Sequence, residues 1–150
     1  MQDEYEVKRV VLAPPKRLFE AWLDSREHGD MTEGKASATQ IVGEPFSTLD
    51  GLVAGRNLEI EPYHHIVQEW NTAEAWNAGA VTRVEIRLAT GHAYGGIGNP
   101  QDDGTTIILR HSAIGADQTV FSALWWEDRY FRPMDAYFSR GNNRFTRPQG

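Results

Sequence analysis

Apolar residues recur at every second position, then every third or fourth, then every second again before the chain returns to a helical period near its end. Residues 5–12 alternate and predict a short strand. Pro14-Pro15 stop it, and the helix formers KRLFEAWLD follow, with Leu18/Trp22 and Phe19/Leu23 as i, i+4 pairs. Asp24 or Ser25 is placed to cap a second short helix running through His28 to Met31. From Ala36 to Trp70 the pattern is strand-like and broken by turn signals at Gly43, Asp50-Gly51, Gly55-Arg56-Asn57 and Glu61–His65. Leu58 and Ile60 oppose Glu59 and Glu61, while Val84, Ile86 and Leu88 oppose Arg83, Glu85 and Arg87. Ile107, Leu109 and His111 oppose Thr106, Ile108 and Arg110 in the same way. Such segments predict antiparallel strands with one buried and one wetter face.

The segment WWEDRYFRPMDAYF, residues 125–138, restores the helical period: Trp126, Tyr130, Met134 and Tyr137 fall at i, i+4, i+8 and i+11. It predicts a long helix with a broad aromatic face, bent at Pro133 where an i→i−4 hydrogen bond is lost. The expected architecture is α+β: a strand, two short helices, about six further antiparallel strands, and a C-terminal helix gripped by the curled sheet. One domain spans residues 1–140, and the aperiodic residues 141–150 read as a loose tail.

Composition narrows the function classes. The net charge of −6 and a pI near 5.3 argue against nucleic acid or an anionic membrane as partner, since both demand a basic face. The absence of cysteine excludes disulfides, thiolate catalysis and Cys-ligated zinc. The start MQDEYEVKRVV is too polar for a signal peptide, and no apolar run approaches ~20 residues, so a cytoplasmic, non-membrane protein is expected.

Candidate chemistry is sparse. Gly95-Gly96-Ile97-Gly98 leads into the strand GTTIILR instead of a helix, so it lacks the helix N-terminus a phosphate loop requires. His64-His65 fits a surface turn better than a metal site, because neighbours diverge and no third ligand stands at suitable spacing. His111 and Ser112 face opposite sides of a strand and cannot form a dyad. Glu59 and Glu61 share a solvated face and Glu69 points outward; Asp24 and His28, four apart, read as a pair, or with His28 at a cavity mouth near Met31, though helix-end electrostatics explains them without a ligand. No catalytic residue, metal site or cofactor is assigned. The space between sheet and helix is where a small molecule would bind. Nine residues are assigned to its lining: Trp22, Met31, Phe46, Trp70, Leu109, His111, Trp126, Tyr130 and Met134. The competing reading of the aromatic stripe is close-packed core, and of His111 a buried histidine bonded to backbone.

The segments LAPPKRLFEAWLDSREHGDMTEGKA, VGEPF, LDGLVAGRNLEIEPYHHIVQEW, GTTIILRHSAI and WEDRYFRPMDAYF fall in the order and spacing of one family. Across residues 5–139 the chain resembles the START-like (SRPBCC) superfamily, in the branch related to the C-terminal domain of the activator of the 90-kDa heat-shock-protein ATPase. The resemblance implies a helix-grip fold with a cavity under the C-terminal helix, but no single reaction. Nothing in this sequence corresponds to the N-terminal half of the eukaryotic activator. The glycine-rich insertion GHAYGGIGNPQDDG, residues 91–104, is longer than the usual hairpin and reads as a lid, a dimer contact or a tolerated loop.

Three functions follow. The leading one is non-catalytic binding of a small hydrophobic or aromatic molecule by a monomer or homodimer. The second, resting on resemblance, is a co-chaperone-like or stress-response protein that contacts the 90-kDa chaperone. The third is a cyclase- or hydrolase-like enzyme using His111 and a cavity water.

Overall fold

Every alternating segment becomes a strand of one sheet. The structure, a computed structural model, describes residues 4–91, 104–113 and 121–139. The six strands are β1 (Glu4–Val11), β2 (Pro45–Thr48), β3 (Val53–Glu61), β4 (His65–Thr72), β5 (Thr82–Gly91) and β6 (Gly104–Ser112). They pair antiparallel in the order β1-β6-β5-β4-β3-β2, so consecutive hairpins build the sheet from β2 to β6 and the first strand closes onto the last. The sheet is curved and open, with the C-terminal helix against its inner face.

Register aligns the inner face into rows. Tyr5, His111, Val84, Gln68 and Asn57 form one, and Val7, Leu109, Ile86, Ile66 and Ile60 another. In a third row Phe46, Gly55, Trp70 and Thr82 lie side by side. A β-bulge between Asn57 and Glu59 shifts the register at Leu58 and leaves Glu59 and Glu61 exposed, as their alternation implies.

Helices α1 (Pro15–Trp22) and α2 (Ser25–Thr32) follow β1 where the sequence places them. Asp24 caps α2 by accepting from the Glu27 N–H at 2.9 Å. A short third helix, α3 (Ala73–Asn77), is absent from the sequence expectation. Thr72 caps it, its Oγ1 accepting from the Ala75 N–H at 3.2 Å, and AEAW supplies good helix formers. His65 opens β4 instead of lying in the preceding turn, and bonds Glu85 at 2.7 Å on the outer face.

The C-terminal helix departs from regular α-helical bonding one turn before Pro133. It consists of α4 (Ala123–Trp126), a π-helical turn (Glu127–Phe131) and α5 (Arg132–Tyr137). The Arg132 N–H bonds the Glu127 carbonyl five residues back, so the chain leaves the i→i−4 ladder before the proline would break it. Pro133 then stands in the first turn of α5, where its missing donor costs little. The insertion, at residues 92–103, and the tail, residues 141–150, lie outside the described residues.

Two ties hold this helix. On β1 the period-two pattern turns Tyr5, Val7, Arg9 and Val11 inward. The Arg9 guanidinium pairs with both Glu127 and Asp135 and lies 5.9 Å from the centre of the Phe131 ring. Tyr5 adds a hydroxyl bond to the Phe121 carbonyl at 2.6 Å. Toward the helix C-terminus, Tyr137 donates to Glu27 at 2.8 Å, and Glu27 also holds Arg17 at 2.5 Å, joining α1, α2 and α5.

Gly55 is the tightest backbone position on the inner face. A Cβ there would stand 1.9 Å from the Glu69 carbonyl oxygen and 2.7 Å from the Phe46 ring. Gly55→Ala should therefore destabilise by about 3 kcal/mol or more, at or above the upper end of ordinary overpacking. Urea unfolding measures it, and a loss under about 1 kcal/mol would show that the row relaxes freely.

Candidate functional site: the interior between sheet and helix

The inner face carries more polar side chains than an ordinary core, and each is placed by strand parity or a helix turn. His28, Thr48, Asn57, Gln68, Thr82 and His111 are all buried. Buried polar groups must find partners, and these form three threads.

In the first thread, His28 Nδ1 lies 2.7 Å from the Trp22 carbonyl oxygen and Nε2 lies 2.6 Å from the Tyr130 hydroxyl. A carbonyl only accepts, so Nδ1 carries the proton and Nε2 accepts from Tyr130. Tyr130 in turn accepts from Thr48 Oγ1 at 2.9 Å. In the second, Trp126 Nε1–H donates to His111 Nδ1 at 3.2 Å, which fixes the His111 proton on Nε2. That proton goes to Thr82 Oγ1 at 2.7 Å, and Thr82 donates to the Trp70 carbonyl at 2.5 Å. In the third, Trp22 donates to Gln68 at 3.3 Å, Gln68 to Asn57 at 2.8 Å, and Asn57 to the Thr39 and Ile41 carbonyls at 2.9 and 3.1 Å.

Burial holds both histidines neutral, lowering His28 from the ordinary 6.5 to about 4 and His111 to about 3. Burial also raises the Tyr130 phenol far above its usual value, so it stays protonated. One donor has no partner. Trp70 Nε1 is, among the described residues, the one buried side-chain nitrogen or oxygen without a hydrogen bond.

The nine residues assigned to the lining converge here. Trp22, Met31, Phe46, Trp70, Leu109, Trp126, Tyr130 and Met134 belong to one core cluster, and the His111 ring lies 5.8 Å from that of Trp126. In this conformation they meet one another. The Trp70 ring lies 5.2 Å from both Phe46 and Trp126, and Tyr130 lies 5.1 Å from both Trp22 and Trp126. Beneath Met134 and Trp22 the sheet leaves an apolar void of about 10 Å³, close to the least that admits one water. His111 is buried with both ring nitrogens engaged, by the side chains of Thr82 and Trp126 and not by backbone as the competing reading had it, which leaves neither nitrogen for a substrate. Asp24 caps α2 while His28 points inward, not to a cavity mouth, so the two do not pair. Arg9, Thr48, Asn57 and Thr82 were not assigned to the interior from sequence, whereas alternation put Gln68 on the face of Trp70 and His28 stood no deeper than a cavity mouth. For Arg9 the signal was present, since alternation with Tyr5, Val7 and Val11 puts it on the inner face. Among the described residues no group of three or more His, Asp or Glu is placed to hold a metal.

Residues 12–139 match the profile of the family described as Activator of Hsp90 ATPase homolog 1-like protein. The chain belongs to this family. No curated protein sequence matches it. Among solved structures it resembles PFC0360w, an HSP90 activator from Plasmodium falciparum, at TM-score 0.73 and 21% identity over 91% of this chain and 96% of that one. Protein MLL2253 from Mesorhizobium loti gives TM-score 0.70 and 21% identity over 91% and 97% of the two chains. The Aha1 dimer from Colwellia psychrerythraea gives 0.67 and 15% over 89% and 94%. These likenesses show the fold, a curved antiparallel sheet gripping a C-terminal helix. No helix among the described residues is long and apolar enough to cross a membrane.

The neutral histidines make stability depend on pH with a definite sign. Their folded pKa values lie below 6.5, so between about pH 6.5 and pH 4 the unfolded chain binds protons that the native chain refuses. Stability therefore falls as pH drops through that window, by up to ~1.4 kcal/mol per pH unit for each histidine. Urea unfolding at pH 7, 6 and 5 should show this slope, and His111→Gln should reduce it by about half.

Proposed function

We propose that the interior binds a small, uncharged aromatic or apolar molecule that carries one hydrogen-bond acceptor. The observation that carries this reading is the unpartnered Trp70 N–H at the centre of an aromatic cluster. A buried donor left unmade costs about 1–3 kcal/mol, and an acceptor on the guest recovers it. Aromatic walls supply the rest of the affinity, and the absence of an ionised side chain among the described buried polar residues favours a neutral guest. Because the side chains fill the space, binding is coupled to opening. Met31 and Met134, flexible and unbranched, are the residues best suited to give way. Trp22, Phe46, Leu109, Trp126 and Tyr130 form the walls, and His111 orients Trp126. The protein acts in the cytoplasm, as a monomer or homodimer, without catalysis.

Acetophenone and ethylbenzene test this, since they share a shape and differ in the carbonyl acceptor. Titration followed by tryptophan fluorescence should show the ketone bound more tightly by about fivefold, corresponding to a net hydrogen bond of ~1 kcal/mol. Trp70→Phe should abolish that preference while leaving ethylbenzene affinity nearly unchanged. Equal binding of the two by the native protein would remove the Trp70 role, and failure of both to bind would remove the ligand reading.

A second reading is favoured by the family match itself: contact with the 90-kDa heat-shock protein, as the description of the family and of the Plasmodium falciparum protein suggests. It predicts a change in the chaperone's ATPase rate on adding this protein. An unchanged rate, with no complex recovered by pull-down, would eliminate it.

A further inference from the structure

A groove of about 360 Å³ runs between the end of α2, the turn joining β2 to β3, and the outer side of the C-terminal helix. Its rim is charged, with Glu33 and Asp50 on one side and Asp128, Arg129 and Arg132 on the other. Its floor is not charged. Thr32 and Leu49, which line the groove, are both buried, and Leu49 belongs to the same core cluster as Tyr130 and Trp70. Each floor residue adjoins a member of the first polar thread. Thr32 Oγ1 donates to the His28 carbonyl at 2.8 Å, and Leu49 follows Thr48, whose hydroxyl meets Tyr130 at 2.9 Å. The floor is thus the wall between solvent and the interior.

That wall is made of backbone in unusual conformations. Leu49 and Asp50 have φ of 53° and 60°, Gly51 has 87°, and Glu33 on the facing turn has 65°. Left-handed φ at a leucine or a glutamate is held only by its surroundings. The surroundings here are a strap: Lys35 N–H donates to Asp50 Oδ1 at 2.8 Å, and Asp50 N–H donates to the Lys35 carbonyl at 2.9 Å. Gly34 permits the approach, since a Cβ on it would stand 3.1 Å from Leu49 Cα.

We propose that this groove is the mouth of the interior and that the Leu49-Asp50 turn, held by the Lys35–Asp50 strap, is its door. This rests on the interior binding proposed above and adds the route and the moving part. When the strap parts, the turn can relax from its left-handed conformation and withdraw the Leu49 side chain, exposing Thr48 and Tyr130 to a guest in the groove. A neutral amphipathic molecule suits such a passage: the polar rim meets it in water, and the apolar floor leads inward.

The chain contains no cysteine, so the double variant Lys35→Cys/Asp50→Cys carries the sole thiol pair. Stopped-flow tryptophan fluorescence with acetophenone reads the outcome. Oxidised, the pair should slow both association and dissociation at least tenfold with little change in Kd, and reduction should restore both rates. Asp50→Gly, which removes the side-chain half of the strap at a position glycine adopts without strain, should speed both rates severalfold. Unchanged rates in the oxidised pair and in Asp50→Gly would overturn the door while leaving the interior site standing. Absence of acetophenone binding by the native protein would remove both.

Discussion

The Phe46 ring lies over the bare backbone of Gly55, 2.7 Å from where a Cβ would stand, with Trp70 next in the row, and the interior is organised around that contact. With the bare backbone of Gly55 between them, Phe46 and Trp70 bring their rings to 5.2 Å, and Trp126 closes on Trp70 at the same separation. A buried aromatic of this size removes about 200 Å² from water, or ~5 kcal/mol at 25 cal/mol per Å². The unmade hydrogen bond of its N–H costs about 1–3 kcal/mol. Burial wins, so the fold tolerates one orphan donor in exchange for a surface on which the C-terminal helix can dock.

Around that centre the polar side chains follow a strict accounting of donors and acceptors. His28 and His111 each give one proton and accept one, and every hydroxyl in their threads passes a proton along the chain. Charging either ring would force it to donate twice, in surroundings that stabilise cations poorly. The charged ties stand instead at the margins, Arg9 on Glu127 and Asp135 at one edge and Arg17 on Glu27 near the helix end. Charge fixes the helix, whereas neutral hydrogen bonds and aromatic contacts fill the space beneath it.

Much of this was legible in the sequence, since period-two alternation in β5 and β6 and helical spacing in the last segment are direct images of one-sided burial. The parity argument placed Ile107, Leu109 and His111 together on the inner face, and the register confirms it. Less legible were features decided across elements. His28 enters the interior because α2 packs on the C-terminal helix, 102 residues away along the chain. The π turn at Glu127–Phe131 precedes Pro133, whereas the sequence suggested only a bend at the proline. Whether the aromatic face encloses space or fills it depends on distances between non-local rings, which no spacing rule encodes. Arg9 is the instructive omission, because its alternation was readable but a charged residue on an inner face invites dismissal until its two carboxylate partners are seen.

The crowding of indoles has an optical meaning as well. Trp22 and Trp70 lie 6.4 Å apart, Trp70 and Trp126 5.2 Å, and Trp126 and Trp125 5.1 Å, an unbroken chiral ladder of four of the five tryptophans. Transition dipoles at such separations couple strongly, so the folded interior should carry an exciton signature in circular dichroism that none of its rings would show alone. The ladder spans α1, β4 and the C-terminal helix, elements that enclose the interior. The molecule therefore carries its own reporter of whether sheet and helix are closed, with no label attached.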